Sequence, residues 1–215
     1  MKIIDFNQYQ TLVFDCDGVI LNSNKVKTQA FYSAALPYGK LAAQKLVDYH
    51  VSRGGVSRYK KFEYFLLYIV GHSFIDETEL GNLLAVYAKD VWQGLLSCDV
   101  SEGLQQLRDR SANCRWLVVS GGDQVELRSL FEKRNLFHLF DGGIFGSPDT
   151  KDIILSREIR NQNIVGSAIF FGDSQYDIEA AKRAGLDFVF ISDWSESKFD
   201  FSDADYVYKH LGCCV

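Results

Sequence analysis

Two aspartates separated by one residue follow a short apolar segment near the beginning of the chain. In the sequence TLVFDCDGVI, residues 11–20, the apolar run ends at Asp15, Asp17 and Gly18. Such a run predicts a buried parallel strand, and open α/β sheets bind ligands at the carboxyl ends of their strands. Side chains two residues apart in an extended chain point the same way. One carboxylate can therefore act as the nucleophile and the other as the general acid. The alternative is a strand ending in an Asx turn, which needs one aspartate and a glycine but no second acid.

Two later apolar runs also end in polar residues. Residues 115–120 end at Ser120, and a helix is predicted over 124–133. Ser120 is therefore expected at a helix N-terminus, where free N–H groups favour anions and a hydroxyl can donate to a phosphate oxygen. Taken alone, it is equally typical of an N-cap. The run at 167–172 ends at Asp173 and Asp177, before a helix that closes at a glycine.

A single lysine, Lys151, ends a turn-rich loop between these two runs and precedes a predicted helix over 152–160. A lone loop lysine is usually a solvated surface group. The informative feature is the order of the four clusters along the chain: a carboxylate pair, a hydroxyl, a lysine and a second carboxylate pair.

With these clusters in this order, the chain resembles the haloacid dehalogenase-like hydrolase superfamily over its whole length, and specifically its phosphatases and phosphomutases. The segment DCDGV matches the D-x-D-G-[TV] motif of that superfamily. The resemblance implies that Asp15 is the nucleophile and that Asp17 is the general acid and base. Its dehalogenases and phosphonatases lack an acid at the second position, so Asp17 favours an oxygen leaving group. The resemblance further implies phosphate binding by Ser120 and Gly121, charge neutralisation by Lys151, and metal binding by Asp15, Asp17, Asp173 and Asp177.

Phosphate ester hydrolysis explains why these residue types are needed. A carboxylate nucleophile forms an aspartyl-phosphate, but it repels a dianionic substrate unless cations lie nearby. Mg²⁺ and Lys151 are expected to supply that positive charge. Since Mg²⁺ prefers oxygen ligands, the carboxylates of Asp15 and Asp173 and the backbone carbonyl of Asp17 are the expected ligands, with Asp177 auxiliary.

The elements around the motifs predict the fold. Strand-like runs alternate with helix-like stretches, and a further run at 188–191 follows, which is typical of a doubly wound parallel α/β sheet. The interval between the first two motifs is too long for one crossover, and helices are predicted there over 25–50, 57–70 and 76–96. We therefore predict a core of residues 1–21 and 98–215 and a helical domain over 22–97. In the superfamily, an insert at this position is a mobile cap.

Substrate contacts in the cap are expected around Gly54 and Gly55, where Arg53 and Arg58 can reach an anionic or hydroxyl-rich leaving group. The alternative is a solvated turn with Ser57 as N-cap. Lys60 and Lys61 are predicted to be surface charges. No histidine is assigned a role, and residues 192–198 are predicted to be a polar loop.

The composition excludes several classes of protein. With 23 Lys+Arg against 28 Asp+Glu, the net charge is −5 and there is no basic stripe, so nucleic-acid binding is not expected. No apolar stretch approaches the ~20 residues needed to span a bilayer, and the N-terminus lacks a signal sequence. The 5 cysteines show no metal-ligand spacing, which fits a reducing, cytoplasmic location. The side chain of Cys16 is expected in the core, and Cys213 and Cys214 in a mobile tail.

Three functions remain open. The favoured one is a Mg²⁺-dependent phosphatase that hydrolyses a small phosphorylated metabolite, a sugar phosphate or a phosphoglycolate-like compound, through an aspartyl-phosphate. A phosphosugar mutase similar to the β-phosphoglucomutases would use the same core residues. A non-catalytic binding protein is disfavoured because every catalytic group is present. The sequence does not predict the oligomeric state, and a monomer is compatible with it.

Overall fold

A six-stranded parallel sheet is the centre of the computed structural model, which describes residues 3–215. The order of the strands is β3-β2-β1-β4-β5-β6, and all neighbours are parallel. Residues of β1 and β4 are buried on both faces, as parallel sheets require. The strands are β1 (Thr11–Phe14), β2 (Arg115–Asp123), β3 (Gly143–Ser147), β4 (Ala168–Gly172), β5 (Asp187–Ile191) and β6 (Tyr206–Tyr208).

Within residues 3–215, eight α-helices surround or extend from this sheet. Leu12 and Phe14 belong to one hydrophobic cluster and Val13 to another, so helices cover both faces. The predicted doubly wound α/β fold is therefore confirmed. The helices are α1 (Asn24–Ala35), α2 (Lys40–Ser52), α3 (Arg58–Tyr64), α4 (Glu77–Ser97), α5 (Leu104–Arg110), α6 (Gln124–Lys133), α7 (Lys151–Arg160) and α8 (Gln175–Ala184).

Helices α1 to α4 form the helical insert, which we call the cap. Its interior is aromatic: the Phe31 ring lies 4.5 Å from that of Tyr87 and 5.2 Å from that of Phe62. The single helix predicted over 25–50 is wrong. A 3-10 turn at Leu36–Tyr38 and Gly39, whose φ of 101° favours glycine, separate α1 from α2. The helix predicted over 57–70 continues from α3 as a π-helical turn, Phe65–Val70.

The register of the central strands places the motif residues together. Phe14 of β1 pairs with Phe171 of β4, and the N–H of Asp15 donates to the Phe171 carbonyl at 2.9 Å. Asp15 and Asp173 therefore leave neighbouring strands at the same edge of the sheet. The strand order reverses between β1 and β4, and ligands of doubly wound sheets bind at that point.

The C-terminal residues are ordered, so the expected mobile tail is wrong. Leu211–Cys214 form a 3-10 turn, and the buried side chains of Leu211 and Cys214 join the core beside α5. Cys16 is buried in the same cluster, as predicted. Among residues 3–215, no helix combines the length and apolarity that crossing a bilayer would need.

Candidate active site

Three buried carboxylates meet at the edge of the sheet. Oxygens of Asp15, Asp173 and Asp177 lie within 4.8 Å of one another. Gly18, at a φ of 76°, lets the chain turn away beside them, and a Cβ at this position would lie 2.1 Å from Oδ2 of Asp173. A glycine is therefore needed for the first motif and the last motif to approach this closely.

Lys151 is the cation of this cluster. It is the first residue of α7, which Thr150 caps, and it is almost completely buried. Its Nζ lies 3.0 Å from Oδ2 of Asp15 and forms a second ion pair with Oδ1 of Asp177. The loop lysine that is usually solvated is here enclosed between two acids.

Asp177 has both oxygens engaged by the protein itself. Oδ1 binds Lys151, while Oδ2 accepts from the backbone N–H of Ser174 at 3.0 Å and from its hydroxyl at 2.6 Å. The N–H of Asp173 also donates to Oδ2, at 3.2 Å. Asp177 therefore fixes the loop after β4 and the position of Lys151.

The cluster holds more negative than positive charge. Burial raises the pKa of Asp173 well above its ordinary range, and the carboxylates of Asp177 and Asp15 raise it further. Burial also raises the pKa of Asp15 to about 7, although Lys151 acts in the opposite direction. A bound cation would offset this excess, and the all-oxygen donor set fits Mg²⁺. Asp15, Asp173 and Asp177 bring carboxylate oxygens close enough together to hold it, and the backbone carbonyl of Asp17 is the further ligand expected from the sequence.

Asp17 is held by two residues to which the sequence analysis gave no role. The Ser23 hydroxyl donates to its Oδ1 at 2.6 Å, and the Lys27 ammonium donates to its Oδ2. Burial alone would raise the pKa of Asp17, but Lys27 and Ser23 bring it below its ordinary value. One signal was available, because both residues lie at the start of a helix that directly follows the first motif.

The strand β2 continues three residues further than predicted. Ser120 lies inside it, fully buried, and its Oγ accepts from the Gly122 N–H at 3.1 Å. Ser120 is therefore not at the helix N-terminus itself: α6 begins at Gln124, as predicted, and Asp123 caps it by accepting from the N–H groups of Val125 and Glu126. Gly121 lines the cavity described below.

The two cap arginines lie in different environments. Arg53 is exposed and outside the cavity lining. Arg58 is buried and forms a bidentate ion pair with Glu126 of α6, in which Nη1 lies 3.2 Å from Oε1. The next residue, Tyr59, donates its hydroxyl to Oδ2 of Asp123 at 2.7 Å. These contacts hold α3 against the core.

The neighbouring lysines also differ. Lys60 is exposed and pairs with Glu63 at 2.8 Å, as expected for a surface charge. Lys61 is only 2% exposed, so its prediction as a surface charge is wrong. The physical reason is helical spacing: Lys61 lies three residues after Arg58, on the face of α3 that packs inward.

Cap and core enclose a cavity of about 400 Å³. A Cβ on Gly121 would lie 2.1 Å from the Gly55 carbonyl oxygen, which shows how closely the two parts approach. The predicted polar loop also contributes, because Glu196 lines the cavity and accepts from the Thr28 hydroxyl at 2.8 Å. Residues from both sides face the interior: Asp15, Asp17, Gly121 and Asp173 from the core, and Lys27, His50, Arg58, Lys61 and Tyr87 from the cap.

Comparison with known proteins decides the family. Residues 9–185 match the sequence profile described as haloacid dehalogenase-like hydrolase. The chain belongs to this family. No curated protein gives a significant sequence match.

Solved structures show the same fold as this haloacid dehalogenase-like hydrolase. A predicted phosphoglycolate phosphatase from Haemophilus somnus 129pt has a TM-score of 0.74 at 15% identity, covering 95% of this chain and 96% of that one. β-Phosphoglucomutase from Clostridium difficile has a TM-score of 0.72 at 17% identity, covering 96% and 93%. CbbY from Rhodobacter sphaeroides, in complex with phosphate, has a TM-score of 0.71 at 17% identity, covering 95% of each chain.

The site of this hydrolase combines a carboxylate and a cation at one end of an enclosed space. The carboxylates of Asp15 and Asp17 both line the cavity. Asp15 pairs with Lys151, while Asp17 accepts hydrogen bonds from Ser23 and Lys27. Such an arrangement can present a nucleophile, a proton-transfer group and positive charge to one bound molecule.

Proposed function

We propose that this protein is a Mg²⁺-dependent phosphatase that hydrolyses a small phosphorylated metabolite through an aspartyl-phosphate on Asp15. The observation that carries the proposal is that Asp15 and Asp17 line a cavity of about 400 Å³ between cap and core, with Nζ of Lys151 at 3.0 Å from Oδ2 of Asp15. A cavity of this size favours a small molecule over a polymer.

The first half of the reaction transfers the phosphoryl group. A carboxylate oxygen of Asp15 forms a bond to phosphorus while the bond from phosphorus to the alcohol oxygen breaks. Asp17 must be protonated in this half, against the effect of Lys27 and Ser23 on its pKa. It delivers that proton to the leaving oxygen, so the alcohol departs uncharged. Asp15 now carries the phosphoryl group.

The second half restores the enzyme. A water molecule attacks the phosphorus of the aspartyl-phosphate, and Asp17 takes the proton that the water loses. The bond from phosphorus to Asp15 breaks, and free phosphate leaves. Lys27 donates to Oδ2 of Asp17 and favours its carboxylate form, which is the form needed for this transfer.

Positive charge is needed throughout because the nucleophile and the substrate are both anionic. Lys151 supplies part of it through its contact with Asp15. Mg²⁺, held by Asp15, Asp173 and the carbonyl of Asp17, would offset the remaining negative charge of the transferring group. Asp177 acts through Lys151 and the loop after β4, not as a direct ligand.

Phosphate-binding groups are proposed in the last part of β2. The Ser120 hydroxyl accepts from Gly122 but donates to no group among residues 3–215, so its hydrogen is available for a phosphate oxygen. The Gly121 N–H is the second proposed donor. Of the two cap arginines, Arg58 is proposed to close the cap, and Arg53 is proposed to reach the substrate only when the cap moves.

The test is phosphate release from a panel of phosphorylated sugars, hydroxy acids and nucleotides, with and without Mg²⁺. Asp15→Asn should abolish release and keep the melting temperature, whereas Asp90→Asn, which alters an exposed acid on α4, should change neither. Rapid quenching with labelled substrate should leave label on the wild-type chain but not on Asp15→Asn. Substantial activity in Asp15→Asn would refute the mechanism.

A phosphosugar mutase shares these residues, and the covered cavity would favour it if water were excluded from the aspartyl-phosphate. The same panel separates the two functions. Free phosphate in amounts equal to the alcohol product supports the phosphatase. Isomerised sugar phosphate with little free phosphate would assign the mutase instead.

A further inference from the structure

A buried ammonium without a carboxylate partner lines the cavity on its cap side. Lys61 forms no ion pair anywhere in residues 3–215, and its nearest polar partner is Nδ1 of His50 at 2.7 Å. Its Nζ also lies 5.6 Å from the centre of the Phe31 ring. The charge is therefore enclosed by an imidazole and an aromatic ring.

The other buried cations that surround the site are all neutralised. Lys27 is paired with Asp17, Arg58 with Glu126, and Lys151 with two acids. A buried charge without a partner is costly, and an opposite charge close to it removes most of that cost. Burial and, after it, the Lys27 ammonium together lower the pKa of Lys61 to about 7, although the Asp17 carboxylate acts in the opposite direction. An anion that enters the cavity would favour the charged form again.

We infer that Lys61, with His50 beside it, binds a second anionic group of the substrate, a carboxylate or a second phosphate carried by the alcohol part of the phosphomonoester. This inference rests on the proposed function and names its substrate class. It predicts that an uncharged sugar phosphate is a poor substrate, because its alcohol part would leave the ammonium unpaired.

The geometry places this subsite within reach of one small molecule. Lys61 and Asp15 line the same cavity, and the charges of Asp17 and Asp15 act on Lys61 directly. His50 lines the same cavity. When its Nδ1 accepts from the Lys61 ammonium, the neutral ring carries its proton on Nε2, which makes His50 a candidate second donor.

The test compares three substrates that differ at one end: 2-phosphoglycolate, ethylene glycol bisphosphate and the uncharged 2-hydroxyethyl phosphate. Lys61→Met keeps the length of the side chain and removes its charge. We expect it to lower kcat/KM roughly 10- to 100-fold on an anionic substrate, mainly through KM, and by less than about 3-fold on 2-hydroxyethyl phosphate. Whichever anionic substrate shows the larger loss identifies carboxylate or phosphate.

The matched control is Lys60→Met, because Lys60 is the preceding residue on α3 but is exposed. It should change none of the three activities. Equal losses on all three substrates in Lys61→Met would overturn the inference, since Lys61 would then act on the transferred phosphate or on the fold. A wild-type enzyme that does not prefer the anionic substrates would also overturn it. Lys61→Gln, which keeps polarity without charge, should repeat the loss while remaining at least as stable as the wild type.

Binding separates failure of this subsite from failure of the proposed function. Phosphonoacetate carries a carboxylate and a phosphonate that cannot be hydrolysed, and ethylphosphonate lacks the carboxylate. Calorimetry should show tighter binding of phosphonoacetate to the wild type, with the preference lost in Lys61→Met. If no compound releases phosphate, the proposed function fails while this measurement still tests the subsite. Equal binding of both phosphonates would reject the subsite even in an active phosphatase.

Discussion

Arg58 of the cap and Glu126 of the core, which both line the cavity, form a bidentate ion pair with Nη1 at 3.2 Å from Oε1. The Arg58 side chain is 8% exposed and that of Glu126 is 32% exposed, so the pair is partly shielded from solvent. Tyr59 of α3 and Asp123, the N-cap of α6, make a second contact between cap and core. Side chains outside the reacting groups therefore hold the cap against the core.

The ion pair predicts how two substitutions behave together. If Arg58 closes the cap, Arg58→Met and Glu126→Gln should each lower kcat/KM roughly 10-fold, or about 1.4 kcal/mol. The double variant should lose little more than either single one, because both remove the same contact. If Arg58 instead binds substrate, Glu126→Gln would keep full activity while Arg58→Met would not. Steady-state kinetics of the four proteins distinguishes these outcomes.

Close approach of the cap predicts a steric effect at Gly121. Gly121→Ala keeps the backbone N–H but places a methyl group 2.1 Å from the Gly55 carbonyl oxygen, so the cap must move. We expect kcat/KM to fall at least about 10-fold, with faster amide hydrogen exchange over residues 53–57. Gly81→Ala is the control: no atom lies within 4 Å of its added Cβ, and it should raise helix stability by about 0.5–1 kcal/mol. Unchanged exchange in Gly121→Ala would contradict the closed cap.

The core of the site could be predicted because it depends on strand ends. Parallel strands that end in acids bring those acids together whatever the loops do, and Asp15 and Asp173 meet for that reason. The profile match over residues 9–185 confirms the predicted family, and the order of the parallel strands confirms the predicted fold. The assigned roles of the site residues stay predictions.

The cap side could not be predicted in the same way. Whether a helical lysine faces inward depends on the rotation of α3 about its axis, and Lys60 and Lys61 were therefore treated alike. The break at Gly39 and the extension of β2 to Asp123 likewise depend on tertiary packing, not on periodicity. Lys27 was missed because its partner, Asp17, lies in the loop between β1 and α1, ten residues earlier in the chain.

Lys151 predicts a large loss of stability when its charge is removed. It neutralises Asp15 and Asp177, both buried, so Lys151→Met would leave two carboxylates without a cation to pair with. Breaking a buried pair in this way costs about 3–5 kcal/mol. Urea unfolding should show that decrease, and Mg²⁺ should recover part of it if the cation binds the same acids. A variant as stable as the wild type would show that these carboxylates are not ionised together.

Lys61 predicts the opposite effect, because its charge has no acid to neutralise. Its pKa of about 7 lies below the ordinary 10.5, so the folded state binds fewer protons than the unfolded state between these values. The cost of burying Lys61 is thus fully present below about pH 7 and disappears as pH rises towards 10.5.

Lys61→Met should therefore be more stable than the wild type by about 2–4 kcal/mol at pH 6.5, with a difference that shrinks steadily by pH 9.5. The charged groups that act on Lys61, namely Lys27, Asp17, Lys151 and Asp15, together with its partner His50, remain in both proteins, so the difference between them reports on Lys61 itself. Urea unfolding of Lys61→Met and Lys60→Met at both pH values measures it. A Lys61→Met protein less stable than the wild type at pH 6.5 would mean that the ammonium stabilises the fold, and that its burial needs no substrate to explain it.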